Sequence, residues 1–277
     1  MTWATNHDAS LEILRRVQGS LTVDLIMVPR SSFATCSADD TAAQVKVRNT
    51  DQFSYFPVTD GNDSILGLYH AERWFTSEAP ETQIGDDFTR LSEDIVIGAD
   101  ASIFDFITQA DIHPTNLVVS GNQIAGLVSL SDLQQLPVRA AFFALVTSLE
   151  MAMALRMRCE WQNDPNGWLD LLSDDQKKKI EKEFKKSVKR NTNIDKITSS
   201  SLSQKETVVL AKNFLSNRHD WPERFKKFRD LRNDLAHAKP YADTVAKAKA
   251  LCGLVRDMIS AKEQLLQLGL AKNATRT

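Results

Sequence analysis

The chain has 277 residues, 42% of them hydrophobic and 25% charged, with a formal net charge of −2. That is room for about two domains with ordinary cores, and the balance is that of a globular protein rather than a disordered or fibrous one. The three cysteines, Cys36, Cys159 and Cys252, stand far apart with no CxxC pair, which argues against a disulfide scaffold or a thiolate metal site and for reduced, buried thiols.

The near-neutral total hides an asymmetry. Residues 1–137 hold 7 Lys and Arg against 19 Asp and Glu, a net of −12, whereas residues 138–277 hold 27 against 17, a net of +10. A basic second half suits a polyanionic partner; equally, the two halves can simply attract each other. No apolar run approaches 18 residues, because Arg139, Glu150, Arg156 and Arg158 break the longest stretch. The N-terminus also lacks the basic-then-apolar order of a signal peptide, so a cytoplasmic protein is expected.

In chain order, residues 10–18 predict a short amphipathic lead-in helix within a first segment, 1–20. From Leu21 the texture changes to short strands and helices. LTVDLIMVPRSSFATCSADDTAAQV reads as a turn, a strand ending near Cys36, and a helix begun by Asp39-Asp40-Thr41. FPVTDGNDSILGLYHAERWF reads as a strand, a Gly-Asn turn, a second strand and another helix. The same order returns at 91–136, and aligning Gly61-Asn62 with Gly121-Asn122 brings Gly67 to within one residue of Gly126. An internal duplication of about 60 residues follows.

The duplicated unit, with Val23, Asp24, Leu25, Met27, Pro29 and Arg30, then Phe56-Pro57-Val58 and Asp60, resembles a tandem pair of CBS domains. The resemblance covers roughly residues 21–136, with repeats at 21–76 and 91–137 and a linker at 77–90. It implies an α+β half with ligand clefts that commonly take adenine nucleotides such as ATP, ADP or AMP as regulatory ligands. It also implies a Gly-h-h-[Ser/Thr]-x-x-Asp signature, which the second repeat carries as Gly126, Ser129 and Asp132. Backbone N–H groups and a hydroxyl at a helix start favour an anion, and a carboxylate is a pure acceptor for two sugar hydroxyls. The alternative is that Ser129 or Ser131 caps the helix, with Asp132 in its first turn. The first repeat has His70 and Arg73 at these places, so one occupied cleft is expected, the base lying along Ile95–Ala99.

After Pro137 the chain reads as helical throughout. Phe142, Leu145, Val146, Leu149 and Met153 form a core stripe. Ser173 with Gln176, and Ser203 with Glu206, read as capping boxes of two further helices. The first of these, DDQKKKIEKEFKKSVKRN, offers Ile180, Phe184 and Val188 to a core and eight basic residues elsewhere. That basic surface is either a solvated face or one that tracks phosphates. Asp220 with Glu223 reads as a third capping box, Pro222 sits in the first turn, Pro240 stops that helix, and a last helix runs from about Thr244 to a stop at Gly269.

At about 100° per residue, Trp221, Phe225, Phe228, Leu231 and Leu235 share one apolar arc, and Arg232 projects into it. A guanidinium among rings is costly unless paired or solvated. Asn233 and His237 lie on a neighbouring face, four residues apart. Arg232-Asn233-x3-His237 resembles the R-x4-6-H motif of the HEPN superfamily. That resemblance implies an all-α bundle over 138–277 and a metal-independent endoribonuclease, its site built at a homodimer interface. Arg232 and His237 stand about 140° apart on a regular helix, so a two-fold partner supplying both residues again removes a geometric difficulty.

The resulting expectation is an RNA-cutting, adenine-nucleotide-regulated homodimer, toxin- or defence-like, with no metal. Arg232, Asn233 and His237 would be catalytic, and Gly126, Ser129 and Asp132 would hold nucleotide. The alternative is a non-catalytic nucleotide-sensing module that binds a protein or RNA partner. In it, Arg232 pairs with an acid, Glu150 being the candidate, and His237 caps its own helix end.

Overall fold

The computed structural model describes residues 7–190, 194–216 and 218–274. Its contacts fall into two units, Leu21–Val138 and a helical one made of the segments before and after it.

The α/β unit begins with β1 (Val28–Pro29) and β2 (Cys36–Ser37), followed by α2 (Ala42–Arg48) and the hairpin β3 (Tyr55–Thr59) and β4 (Ile65–His70). Next come β5 (Thr89–Arg90), β6 (Val96–Gly98), α3 (Ile103–Ile107) and a second hairpin, β7 (Thr115–Ser120) and β8 (Gln123–Ser129). Both helices start on complete capping boxes, Thr41 with Gln44 and Ser102 with Asp105, each satisfying two backbone donors that would otherwise lack partners. Single-turn 3-10 segments follow each hairpin, at Glu72–Trp74 and Leu130–Gln134.

The duplication is legible in the sheets, ordered β2-β3-β4-β5 and β1-β8-β7-β6. In each, one parallel pair is followed by one antiparallel hairpin, and both hairpins shift register at the same place, Val58/Thr59 and Val118/Val119. The edge strands are exchanged. β1 precedes the first repeat yet pairs with β8 of the second, and β5 precedes the second yet pairs with β4 of the first. Residues 77–90, expected to be a linker, therefore supply the edge of a sheet.

The exchange explains the paired glycines. A Cβ on Gly67, whose φ is +157°, would meet the Thr89 carbonyl oxygen at 2.0 Å, and one on Gly126 would meet Met27 Sδ at 2.6 Å and Val28 O at 2.8 Å. Each glycine is what lets an edge strand from the other repeat approach. Val58, Tyr69, Ile84 and Val45 make one core, and Ile65, Leu68, Ile95 and Leu117 another.

The helical unit comprises α1 (His7–Ser20), α4 (Leu136–Glu160), α5 (Asp174–Lys189), α6 (Lys196–Ser199), α7 (Leu202–Ala211), α8 (Trp221–Ala236) and α9 (Val245–Ala274). By length and composition α4 is apolar enough to cross a membrane. Its Phe142, Leu145, Leu149, Met153 and Met157 are buried in this unit's core, as the stripe predicts. The Ser173–Gln176 box forms as expected, but α7 is capped by Ser201 with Gln204 rather than by Ser203 with Glu206. Asp220 makes no side-chain cap: its backbone is already helical, at φ −89° and ψ −19°. Helix α9 runs through Gly269 to Ala274, since one interior glycine costs a helix only about 1 kcal/mol.

Candidate functional site

Five residues of the α8 arc, Trp221, Phe225, Phe228, Leu231 and Leu235, are buried. Arg232 shares their angular sector but is exposed, as are Asn233 and His237. The apolar arc is thus covered at its rings and open at its cation, and the expectation of a guanidinium held among rings is corrected. The expected partner is also absent. Glu150 Oε1 instead accepts from Lys205 Nζ at 3.0 Å, and Arg232 makes no ion pair among the described residues. The flanking guanidiniums on α8 are each tied down, Arg224 to Asp257 at 2.7 Å and Arg229 to Glu206.

His237 meets the helix end through its backbone N–H, which donates to the Asn233 carbonyl at 3.0 Å, and its imidazole bonds to none of the last carbonyls. The side chain that does is that of Arg139, on the first turns of α4. Its Nη1 donates to the carbonyls of Asp234 and Leu235 at 3.2 Å each, and its Nη2 donates to that of Lys239 at 2.9 Å. A cation placed on the last carbonyls of a helix answers its negative end. The same guanidinium lies 4.9 Å from the Tyr241 ring centroid, and Tyr241 meets Phe142 edge-on at 5.6 Å. The chain closes α8 with a Schellman turn, Lys239 N–H donating to Asp234 O at 2.9 Å and Ala238 N–H to Leu235 O at 3.4 Å. Ala238 holds φ +53° there, a conformation that costs a residue with a Cβ about 1–2 kcal/mol. Three side chains of differing chemistry are left facing outward at the end of a helix whose backbone is fixed from behind. The sequence marks Arg139 only as a charge that interrupts an apolar run.

Beneath α8 lies a charged layer that sequence reasoning missed. Lys205 and Glu206 are each 3% exposed. Burial lowers the Lys205 ammonium, opposed by Glu150. Burial also raises the Glu206 carboxyl to about 7, against the pull of Arg229 and with the push of Glu150, and its Oε1 has no hydrogen-bond partner. The position of Glu206 on the inner face of α7, opposite Arg229, is what denies it the capping role.

In the α/β unit, Ser129 and Asp132 form the capping box of the 3-10 turn after β8. Asp132 Oδ2 accepts from Ser129 N–H at 2.7 Å and from its hydroxyl at 3.1 Å, while Oδ1 accepts from Gln135 Nε2 at 2.9 Å. Gln135 Nε2 also reaches the carbonyl of Ile26 at 2.7 Å. Burial raises the Asp132 carboxyl, and the bonds from Ser129 and Gln135 oppose it. A ribose diol arriving at this carboxylate has to displace Gln135 or the Ser129 hydroxyl, since three donors already occupy its roughly four lone-pair positions. Gly126 sits against Met27 beneath β1. In the first repeat, His70 stacks on Tyr55 at 4.6 Å, and Arg73 pairs with Asp87 at 2.6 Å.

No family model matches the chain, and no curated protein does. Solved structures that it is similar to include CBS-domain proteins. One is a hemolysin-like protein containing a CBS domain from Oenococcus oeni, with 17% identity, a TM-score of 0.35, and coverage of 44% of this chain and 94% of that one. Another is the CBS domain of a bacterial CNNM/CorC family Mg2+ transporter in complex with ATP, at 15%, 0.38, 47% and 96%. A third is CBSX2 in complex with AMP, at 17%, 0.34, 43% and 95%.

Proposed function

We propose that this chain is a nucleotide-responsive endoribonuclease. In this reading Leu21–Val138 is a CBS-type pair, and the helical unit is a HEPN-type domain acting as a two-fold homodimer. The observation that carries the proposal is the state of the α8 terminus. Arg232, Asn233 and His237 are exposed, and the structural tasks that could have claimed them are done by Lys205 and Arg139.

The chemistry is a transesterification. One His237 takes the proton from a ribose 2′-hydroxyl as its oxygen attacks phosphorus, and the bond from phosphorus to the 5′-oxygen breaks. Water gives a proton to that departing oxygen, leaving a 2′,3′-cyclic phosphate and a 5′-hydroxyl, and each of the two sites pairs the His237 of one copy with the Arg232 of the other. Arg232 stabilises the extra negative charge on the pentavalent phosphorus, and Asn233 orients the phosphate. Across a two-fold axis the arrangement supplies each residue twice, so the wide angle between Arg232 and His237 on one helix ceases to matter. The adenine nucleotide that the CBS resemblance implies would bind near Ser129 and Asp132, and would alter cleavage only by binding two states of the dimer with different affinity.

The proposal is tested by incubating the protein with RNA in EDTA, with and without ATP or AMP, and mapping the ends. Cyclic phosphate ends that vanish in His237→Ala support it. Undiminished cutting by that variant removes the assigned role, and intact RNA under every nucleotide condition leaves the non-catalytic sensing reading in its place.

A further inference from the structure

We infer that the seam between α8 and α9 is a docking trough for a basic amphipathic helix of a partner protein, laid along the two helices as a third. Such binding needs no cleavage chemistry and stands apart from the ribonuclease reading.

Helices α8 and α9 are joined by residues 237–244 and run antiparallel, Arg224 near the start of α8 reaching Asp257 on α9 at 2.7 Å. The trough between them encloses about 780 Å³. It is lined from Asp220 to Asp234 on the α8 side and from Lys247 to Asp257 on the α9 side, roughly 20 Å and 15 Å of helix at about 1.5 Å per residue. That length matches about three to four turns of a helix laid into a groove.

The floor is apolar. Leu231 and Leu251 close it from below, Leu254 is half-buried and Ala250 is exposed. Beside them lies Gly253, in the interior of α9, where glycine costs about 1 kcal/mol relative to alanine. A Cβ on Gly253 would meet only Arg256 Nη2, at 3.7 Å, so no contact within the unit requires the glycine. A helix crossing at short range does, because the side chains at the contact set the distance between packed helix axes, about 8–10 Å.

The rim selects the sign of the occupant. Five carboxylates and three cations line the trough, a net of −2 within a half of the chain that carries +10. Each cation is already paired: Arg224 with Asp257, Lys227 with Glu223 at 3.9 Å, and Lys247 with Asp243 at 2.7 Å. The carboxylates of Asp230 and Asp234, four residues apart on the α8 wall, make no hydrogen bond or ion pair among the described residues. Two open carboxylates at that spacing answer Lys or Arg at the same spacing on a partner helix, whereas the same trough of a second copy would meet them acid to acid.

The test is selection of displayed 15-residue peptides of high helix propensity, randomised on one face, against the full chain, with Gly253→Gln as the counter-selected protein. Glutamine there projects into the trough, and the variant should melt no lower than the parent because glutamine is the better helix former. Ala250→Gln, at an exposed place on the same floor, serves as the blocking variant if the first is unstable. Peptides retained by the parent and released by the variant are expected to carry Lys or Arg at two positions four apart, beside Leu or Ala. By anisotropy, a synthetic copy of one should lose about 2- to 30-fold in affinity on Asp230→Asn with Asp234→Asn, the value of two exposed ion pairs. Exchanging its basic residues for Glu should abolish binding. No retained peptide, peptides that bind parent and blocked variant alike, or survivors without the paired basic residues overturn the inference. So does a parent that sediments as a dimer and becomes a monomer on Gly253→Gln, because a second copy then fills the trough.

Discussion

Glu206→Gln isolates a buried carboxylate whose folded environment resists ionisation. Glu206 is 3% exposed, held by Arg229 across the α7–α8 contact, with Glu150 on α4 raising its carboxyl further. Its proton is held to about 7 in the folded chain against an ordinary 4.5. Between those values the folded state binds more protons than the unfolded one, so this group's contribution falls as pH rises and is lost by about pH 7.5. A displacement of about 2.5 pH units at about 1.4 kcal/mol each gives a loss of about 3.5 kcal/mol at most. Glutamine keeps an acceptor for Arg229 and cannot ionise. The assay is urea unfolding of parent and variant from pH 5 to 8, a window in which Lys205, whose ammonium is lowered, is not the group being compared. The two curves should be close at pH 5, and the variant should be more stable by a few kcal/mol at pH 8. A constant gap across the window, or a variant that weakens as pH rises, would refute the reasoning.

Three other outcomes follow from named contacts. Gly126→Ala forces a Cβ into Met27 and the Val28 carbonyl and should cost about 3 kcal/mol or more through displaced backbone; limited proteolysis should then cut within residues 21–138 first. Arg139→Met removes the cation from the α8 carbonyls and from Tyr241, and should lower stability by about 1–2 kcal/mol while reducing RNA cleavage more than any nucleotide affinity. Asp132→Asn should lower the melting temperature modestly, by about 0.5–2 kcal/mol in stability, and abolish calorimetrically detected binding of adenine nucleotide; undiminished binding would move the nucleotide site elsewhere.

Much of the α/β unit was legible because its signals are local. Alternation, the Gly-Asn turns and the helix start at Asp39-Asp40-Thr41 each lie within a few residues, and the duplication repeats the order. The exchanged edges were not legible. β1 and β5 are two residues each, too short for any period, and only their partners Gly67 and Gly126 hinted at a close approach. In the helical unit SLSQKE contains two overlapping box patterns, Ser201 with Gln204 and Ser203 with Glu206. Sequence offers no way to choose between them; the burial of Glu206 opposite Arg229 decides. The projection that put Arg232 among rings collapses the helix along its length, whereas the buried residues of its last turns, Leu231 and Leu235, lie about 60–100° round from Arg232. At the candidate site the three motif residues were readable from spacing, but Arg139, which fixes the backbone beneath them from about 95 positions away, was not.

Whether cleavage needs side chains from two copies of the chain is tested most directly by mixing subunits. Arg232→Ala and His237→Ala are each expected to be inactive on RNA when assayed alone. Mixed and allowed to exchange subunits, they should recover about a quarter of parental cleavage, because half the dimers are mixed and each mixed dimer keeps one complete site. Activity that stays at background in a mixture proven to contain mixed dimers, or activity retained by either variant alone, would contradict it.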